Sequence, residues 1–128
     1  MKRTVLWMSV GFFPLFVHAG TLGERVYQSA CITCHAPEKA KALKAPAAFD
    51  RKAWEPRIQN AERAMEKHPD RYPSSMDYLT HSVEYGKGLM HHGGLCKESQ
   101  QKPENCSKEA YKAAIEYMTQ EQPKNVGS

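Results

Sequence analysis

Apolar residues along this chain recur at intervals of three and four, the spacing that lines one face of an α-helix, and they nowhere alternate long enough to make a strand. An all-α fold is expected. One stripe is Met76, Leu79 and Val83, with Ser75 as its candidate cap and an end near Gly86. Another begins after Ser107, where Tyr111, Ile115 and Met118 share a face with Ala110 and Ala114. Gly23 and Tyr27, four apart, lie on one face of an opening helix that runs from about residue 22 into the cysteines at 31 and 34. Asp50 is a candidate N-cap for a helix through Trp54 and Arg57, and Pro56 predicts a break or a fresh start inside it. The segments 36–49, with Pro37 and Pro46, and 67–75, with Pro69 and Pro73, read as loops. The tail from Gln122 is expected to fray.

One stretch is apolar without periodicity. Lys2 and Arg3 precede the run 5–17, and Val17-His18-Ala19 ends on a small residue, which fits a secretory signal over 1–19 with cleavage after Ala19. The run is shorter than the roughly 20 residues a spanning helix needs and contains Gly11 and Pro14, so an uncleaved anchor is the lesser alternative. Export with four cysteines points to the periplasm, and no stable membrane insertion is expected once the signal is removed. The remaining 20–128 is long enough for one small domain. Net charge falls from +4 to +2 when Lys2 and Arg3 leave, a balance that gives no reason to expect nucleic-acid binding.

The chemistry concentrates in Cys31-Ile32-Thr33-Cys34-His35. Two thiols three positions apart stand nearly one helical turn from each other, so both can form thioethers with one porphyrin, and the next residue supplies an imidazole to its iron. The motif therefore implies a single, covalently bound haem c. A zinc site would want a second metal-spaced pair, and Cys96 and Cys106 are too far apart for one; a thioredoxin-like pair would sit beside a βαβ pattern, which is missing. An enclosed haem would also supply apolar contact that so short a chain lacks.

Further stretches carry a resemblance. Gly23-Glu24-Arg25-Val26-Tyr27, the segment 49–58 (FDRKAWEPRI), Gly86-Lys87-Gly88-Leu89-Met90, and Ala113-Ala114-Ile115-Glu116-Tyr117-Met118 stand in an order similar to that of the small class I cytochromes c, most closely the cytochrome c5 group. The resemblance implies a class I cytochrome c fold whose N- and C-terminal helices cross at Gly23, Tyr27 and Tyr117, with short helices and loops enclosing the haem. It implies Met90 as the second axial ligand, with His35 the first, and Pro46 as the residue whose carbonyl orients His35. Trp54 and Arg57 are implied near the haem propionates, where an indole N–H and a guanidinium can meet carboxylates. Cys96 and Cys106 are implied as a disulfide, which in an exported chain would contribute roughly 2 to 3 kcal/mol by the chain-entropy argument; a regulatory thiol pair is the rival.

The chain departs from the resemblance in three places. His91 and His92 follow Met90 where a proline would stiffen the loop, and either imidazole could compete for the iron. The segment 58–90 is long and includes His68 and His81, expected at the surface, and the cysteine pair at 96 and 106 is widely spaced. What the resemblance implies is a periplasmic, monomeric, monohaem electron carrier with no catalytic residue. Its donors would be a quinol-oxidising complex and its acceptors a terminal oxidase or reductase. The alternative is a haem sensor or peroxidase-like protein whose sixth ligand is exchangeable or a histidine.

Overall fold

Thr21 caps the first helix, its hydroxyl accepting the Glu24 N–H at 3.2 Å, in a computed structural model that describes residues 20–99 and 102–121. The expected signal segment and the tail from Gln122 lie outside the described residues. Helix α1 (Leu22–Val26) passes through a π turn, Tyr27–Cys31, into α2 (Ile32–His35). A π turn inserts a residue into the helical repeat and re-aims the side chains that follow it. Here it ends on Cys31, so the haem motif begins where the helix changes its phase.

The segment 36–49 is not all loop, as the prolines had suggested. Helix α3 (Pro37–Leu43) occupies its first half, because Pro37 stands at the first helical position, where its missing N–H has no intrahelical partner to lose. Lys44 ends it in the left-handed conformation at φ 54°, and Ala45 donates its N–H back to Ala40 at 3.0 Å. Asp50 then caps α4 (Arg51–Lys67), accepting from the Ala53 N–H at 3.2 Å. Pro56 neither breaks nor restarts this helix. Its ring removes one hydrogen bond, to the Lys52 carbonyl, and both residues are exposed, so water can take the orphaned acceptor.

The turn over 68–74 matches the expected loop, and the cap of α5 (Ser75–Tyr85) is Ser74, one residue before the expected Ser75. The Ser74 hydroxyl accepts the Asp77 N–H at 3.1 Å and donates to the Asp77 carboxylate at 2.7 Å. After a long loop and a short 3-10 turn (Pro103–Cys106), Ser107 caps α6 (Lys108–Thr119) by accepting from Ala110 at 3.1 Å. The described residues contain no strand, only a single bridge between Lys87 and Met90.

Packing follows the periodicity. α6 buries Ala110, Tyr111, Ala114, Ile115 and Met118, the face expected of it. Val26 meets Ala110 and Ala114 where α1 crosses α6, and Gly23 lies against the Ala113 carbonyl there. Beside the crossing, Tyr27, Ala48, Trp54, Ile115 and Met118 form the central cluster, onto which Met76, Leu79 and Val83 of α5 pack. A third cluster joins Ala30, Tyr111 and Cys96. Cys96 and Cys106 stand in disulfide geometry with Cα atoms 5.7 Å apart, tying the loop after α5 to the entry of α6.

Candidate functional site

Cys31 is packed against all three hydrophobic clusters, at the point where they meet. Burial, with the neighbouring Cys34 thiol adding to it, pushes the Cys31 thiol up to about 12. Such a thiol carries almost no thiolate near neutral pH, unlike the activated cysteine of a thioredoxin-like pair. Cys31 and Cys34 are both free rather than joined to each other, and no group of three or more His, Cys, Asp or Glu side chains among the described residues could hold a metal ion.

His35, the last residue of α2, is fixed by the loop that follows α3. Its Nδ1 lies 2.8 Å from the Pro46 carbonyl oxygen, and its own carbonyl accepts the Ala48 N–H at 2.8 Å. A carbonyl can only accept, so Nδ1 carries the proton and Nε2 keeps its lone pair. Burial lowers the pKa of the ring, the Pro46 hydrogen bond works against that, and the positive Arg57 lowers it further. The resulting neutral imidazole has one nitrogen tied to the protein and the other available to a metal.

Trp54 supports this ring from the side, stacked on His35 with centroids 5.8 Å apart and planes 15° from parallel. Its indole N–H has a partner within the protein. That N–H is donated to the Ala47 carbonyl at 2.9 Å, and the residue is buried, so the bond fastens the loop to α4. Arg57 is exposed and donates to the Lys44 carbonyl at 3.2 Å. The carbonyls of Lys44, Pro46 and Ala47 thus take hydrogen bonds from Arg57, His35 and Trp54 in turn, and this loop is the part that brings the sequence-predicted residues together. Phe49 closes it, at a φ of 66° that is unusual for a bulky residue. Its N–H reaches the Met118 carbonyl at 2.7 Å, and its ring stands edge-on to Tyr27 and Tyr117.

Met90 lies in a separate loop. Lys87 and Met90 exchange backbone hydrogen bonds of 3.0 and 3.1 Å around Gly88 and Leu89, and the Gly93 N–H returns to the Val83 carbonyl at 2.7 Å. An open depression of about 430 Å3 is lined by Tyr85, Gly86, Lys87, Gly88, Met90, His91 and His92. Met90 is half-buried, whereas His91 and His92 are exposed. Of the two histidines in the long segment, His68 is exposed and His81 is half-buried, stacked on Tyr85 at 4.4 Å.

Several contributors escaped the sequence reading. The loop carbonyls carry no side-chain signal, and the spacing of Tyr78 and Lys87, whose side chains meet at 3.0 Å, matches no motif. Tyr72 is buried although it lies between two prolines, and an aromatic residue in an otherwise polar turn was the one available hint.

The donor set fits a covalently held haem: two unpaired thiols on adjoining turns and a neutral imidazole oriented through Nδ1. No curated protein and no solved structure matches the chain. A family model described as cytochrome c oxidase, cbb3-type, subunit III matches residues 18–118.

Proposed function

The chain belongs to the cbb3-type cytochrome c oxidase subunit III family and therefore carries a class I cytochrome c domain with covalently attached haem c, and from this premise we propose that it is an exported, monohaem electron carrier. The reading rests above all on the 2.8 Å contact between His35 Nδ1 and the Pro46 carbonyl, which leaves Nε2 as a ready iron ligand.

Cys31 and Cys34 would hold the haem through thioethers, and His35 and Met90 would bind its iron. The haem iron supplies one-electron cycling between ferric and ferrous states when bound. The residues around it keep that cycling simple. Pro46 and Trp54 hold the imidazole in one orientation and one tautomer, so the proximal ligand has no alternative pose to relax into. The half-buried thioether of Met90 is a neutral, soft donor that favours reduced iron, whereas His91 and His92 remain in water. With His35 and Met90 both bound to iron, the haem would supply electron transfer and not oxygen or peroxide chemistry. Arg57, with five N–H donors and one committed to Lys44, can still face a propionate. The pairing of Cys96 with Cys106 pins the far end of the Met90 loop to α6.

Among class I cytochromes, the stretches at 23–27, 49–58, 86–90 and 113–118 support a place near the cytochrome c5 group. The chain is a periplasmic monomer after cleavage at Ala19, and it exchanges electrons through small, transient interfaces with a quinol-oxidising complex upstream and a terminal oxidase or reductase downstream. Among the described residues no helix is long and apolar enough to cross a membrane.

An optical and redox titration of the purified holoprotein tests this reading. A single haem c is expected, titrating as one electron, with the long-wavelength ferric band of methionine ligation. A five-coordinate or bis-histidine spectrum would instead favour a sensor or peroxidase-like protein.

A further inference from the structure

The turn that carries Met90 has glycines at 86 and 88, both at positive φ (79° and 61°), and His91 where a proline would restrict the backbone. Such a turn has little stiffness of its own. What ties it down is a side chain: Lys87 Nζ donates to the Tyr78 hydroxyl at 3.0 Å, and the same oxygen accepts from Asn60 Nδ2 at 3.3 Å. One phenol oxygen on α5 therefore links the turn to α4 as well.

We propose that Tyr78 and Lys87 form a positioning strut that holds the Met90 turn in place of the missing proline, a role that rests on Met90 being the sixth ligand. Three features give the strut its leverage. Lys87 and Met90 are locked by reciprocal backbone hydrogen bonds, so a displacement of one carries the other. The fixed end is firm, because the Tyr78 ring stands edge-on to the buried Tyr72 at 5.1 Å. The opposite side of the loop is already anchored by Gly93 on the Val83 carbonyl, leaving the Lys87 side as the one that needs a tether. The ammonium also lies 5.2 Å from the Tyr78 ring centre, but that is the same approach as the hydrogen bond and is counted once. Because Lys87 is exposed, the strut is weakened by solvent and contributes a modest bias.

Imidazole added to the ferric holoprotein measures that bias by competing with the thioether for iron. Tyr78→Phe and Lys87→Met are each expected to raise the apparent imidazole affinity about fivefold, the size of one exposed charge-assisted hydrogen bond. The double variant is expected to match either single one, since both remove the same contact. All three should keep the methionine band when imidazole is absent. Unchanged affinity in the single variants, or effects that multiply in the double variant, would overturn the strut. Met90→Ala separates the two readings. If it retains the methionine band, the ligand assignment fails and the strut with it; if it loses the band while the strut variants bind imidazole as the parent does, only the strut fails.

Discussion

Gly23 on α1 stands so close to Ala113 on α6 that a Cβ at position 23 would lie 2.8 Å from the Ala113 carbonyl carbon and 3.1 Å from Tyr117 Cβ. The obstacle is backbone, which cannot rotate aside as a long side chain would. Gly23→Ala therefore separates the two helices that close the fold, and a destabilisation of about 1–3 kcal/mol is expected for such overpacking. Urea unfolding of the holoprotein checks it. A midpoint equal to that of the parent would show that the crossing has slack.

Trp54→Phe keeps an aromatic ring beside His35 but leaves the Ala47 carbonyl without the indole N–H it accepts at 2.9 Å. Losing this part-buried hydrogen bond costs about 1 kcal/mol. The expected result is a lower unfolding midpoint with the haem spectrum intact. Were the indole bound to a propionate instead, the reduction potential would shift along with the stability, and a titration distinguishes the two.

How far the sequence foretold these features depends on what kind of signal each one leaves. Helix faces were legible, because Tyr111, Ile115 and Met118 advertise burial by their spacing, and Asp50 and Ser107 are residue types chosen for caps. Pro37 was misread because one residue type serves two purposes: it ends helices from within and begins them from their first position. His35 was legible from its motif and Pro46 from the family resemblance, yet the bonds from Arg57 to Lys44 and from Trp54 to Ala47 end on carbonyls, which every residue possesses. The Tyr78–Lys87 contact is set by where a loop folds back on a helix, and no local pattern encodes that.

The same contact has a pH signature. The hydrogen bond from Lys87 holds the Tyr78 hydroxyl below its ordinary pKa, while burial raises those of Tyr27, Tyr111 and Tyr117. An acidic group with a depressed folded pKa stabilises the fold above its unfolded value of 10.0, and that contribution fades as pH falls through the folded value. Tyr78 should thus ionise ahead of those three tyrosines in a spectrophotometric titration. The early phase should vanish in Tyr78→Phe and move upward in Lys87→Met. An unchanged titration in either variant would contradict the assignment.

Met90 and its two histidine neighbours differ in burial, and a variant series exploits that difference. Met90→Ala is expected to abolish the methionine band and to lower the reduction potential, as a histidine or water replaces the thioether. His91→Ala and His92→Ala, which alter exposed side chains, should leave both untouched. Should one of the histidine variants instead remove the native ligation spectrum, the sixth ligand is that imidazole. The site would then be a low-potential one.

Phe49 combines two effects that a pair of variants can separate. Its ring fills the space between Tyr27 and Tyr117, at centroid distances of 5.5 and 5.1 Å, while its backbone sits at a φ of 66°. Phe49→Ala loses the ring and keeps the unfavourable backbone; Phe49→Gly loses the ring and relieves the backbone. For a half-buried aromatic the lost packing should be about 2–3 kcal/mol in both. Left-handed backbone costs a non-glycine residue about 1–2 kcal/mol, and the extra freedom of an unfolded glycine offsets part of that gain. The glycine variant is therefore expected to be the more stable by about 0.5–1 kcal/mol, the reverse of the usual order at a non-glycine position. Thermal or urea unfolding of the two holoproteins decides it. An alanine variant at least as stable as the glycine one would mean that the loop relaxes once the ring is gone, and that the ring, wedged between the two tyrosines, is what forces the backbone into this conformation.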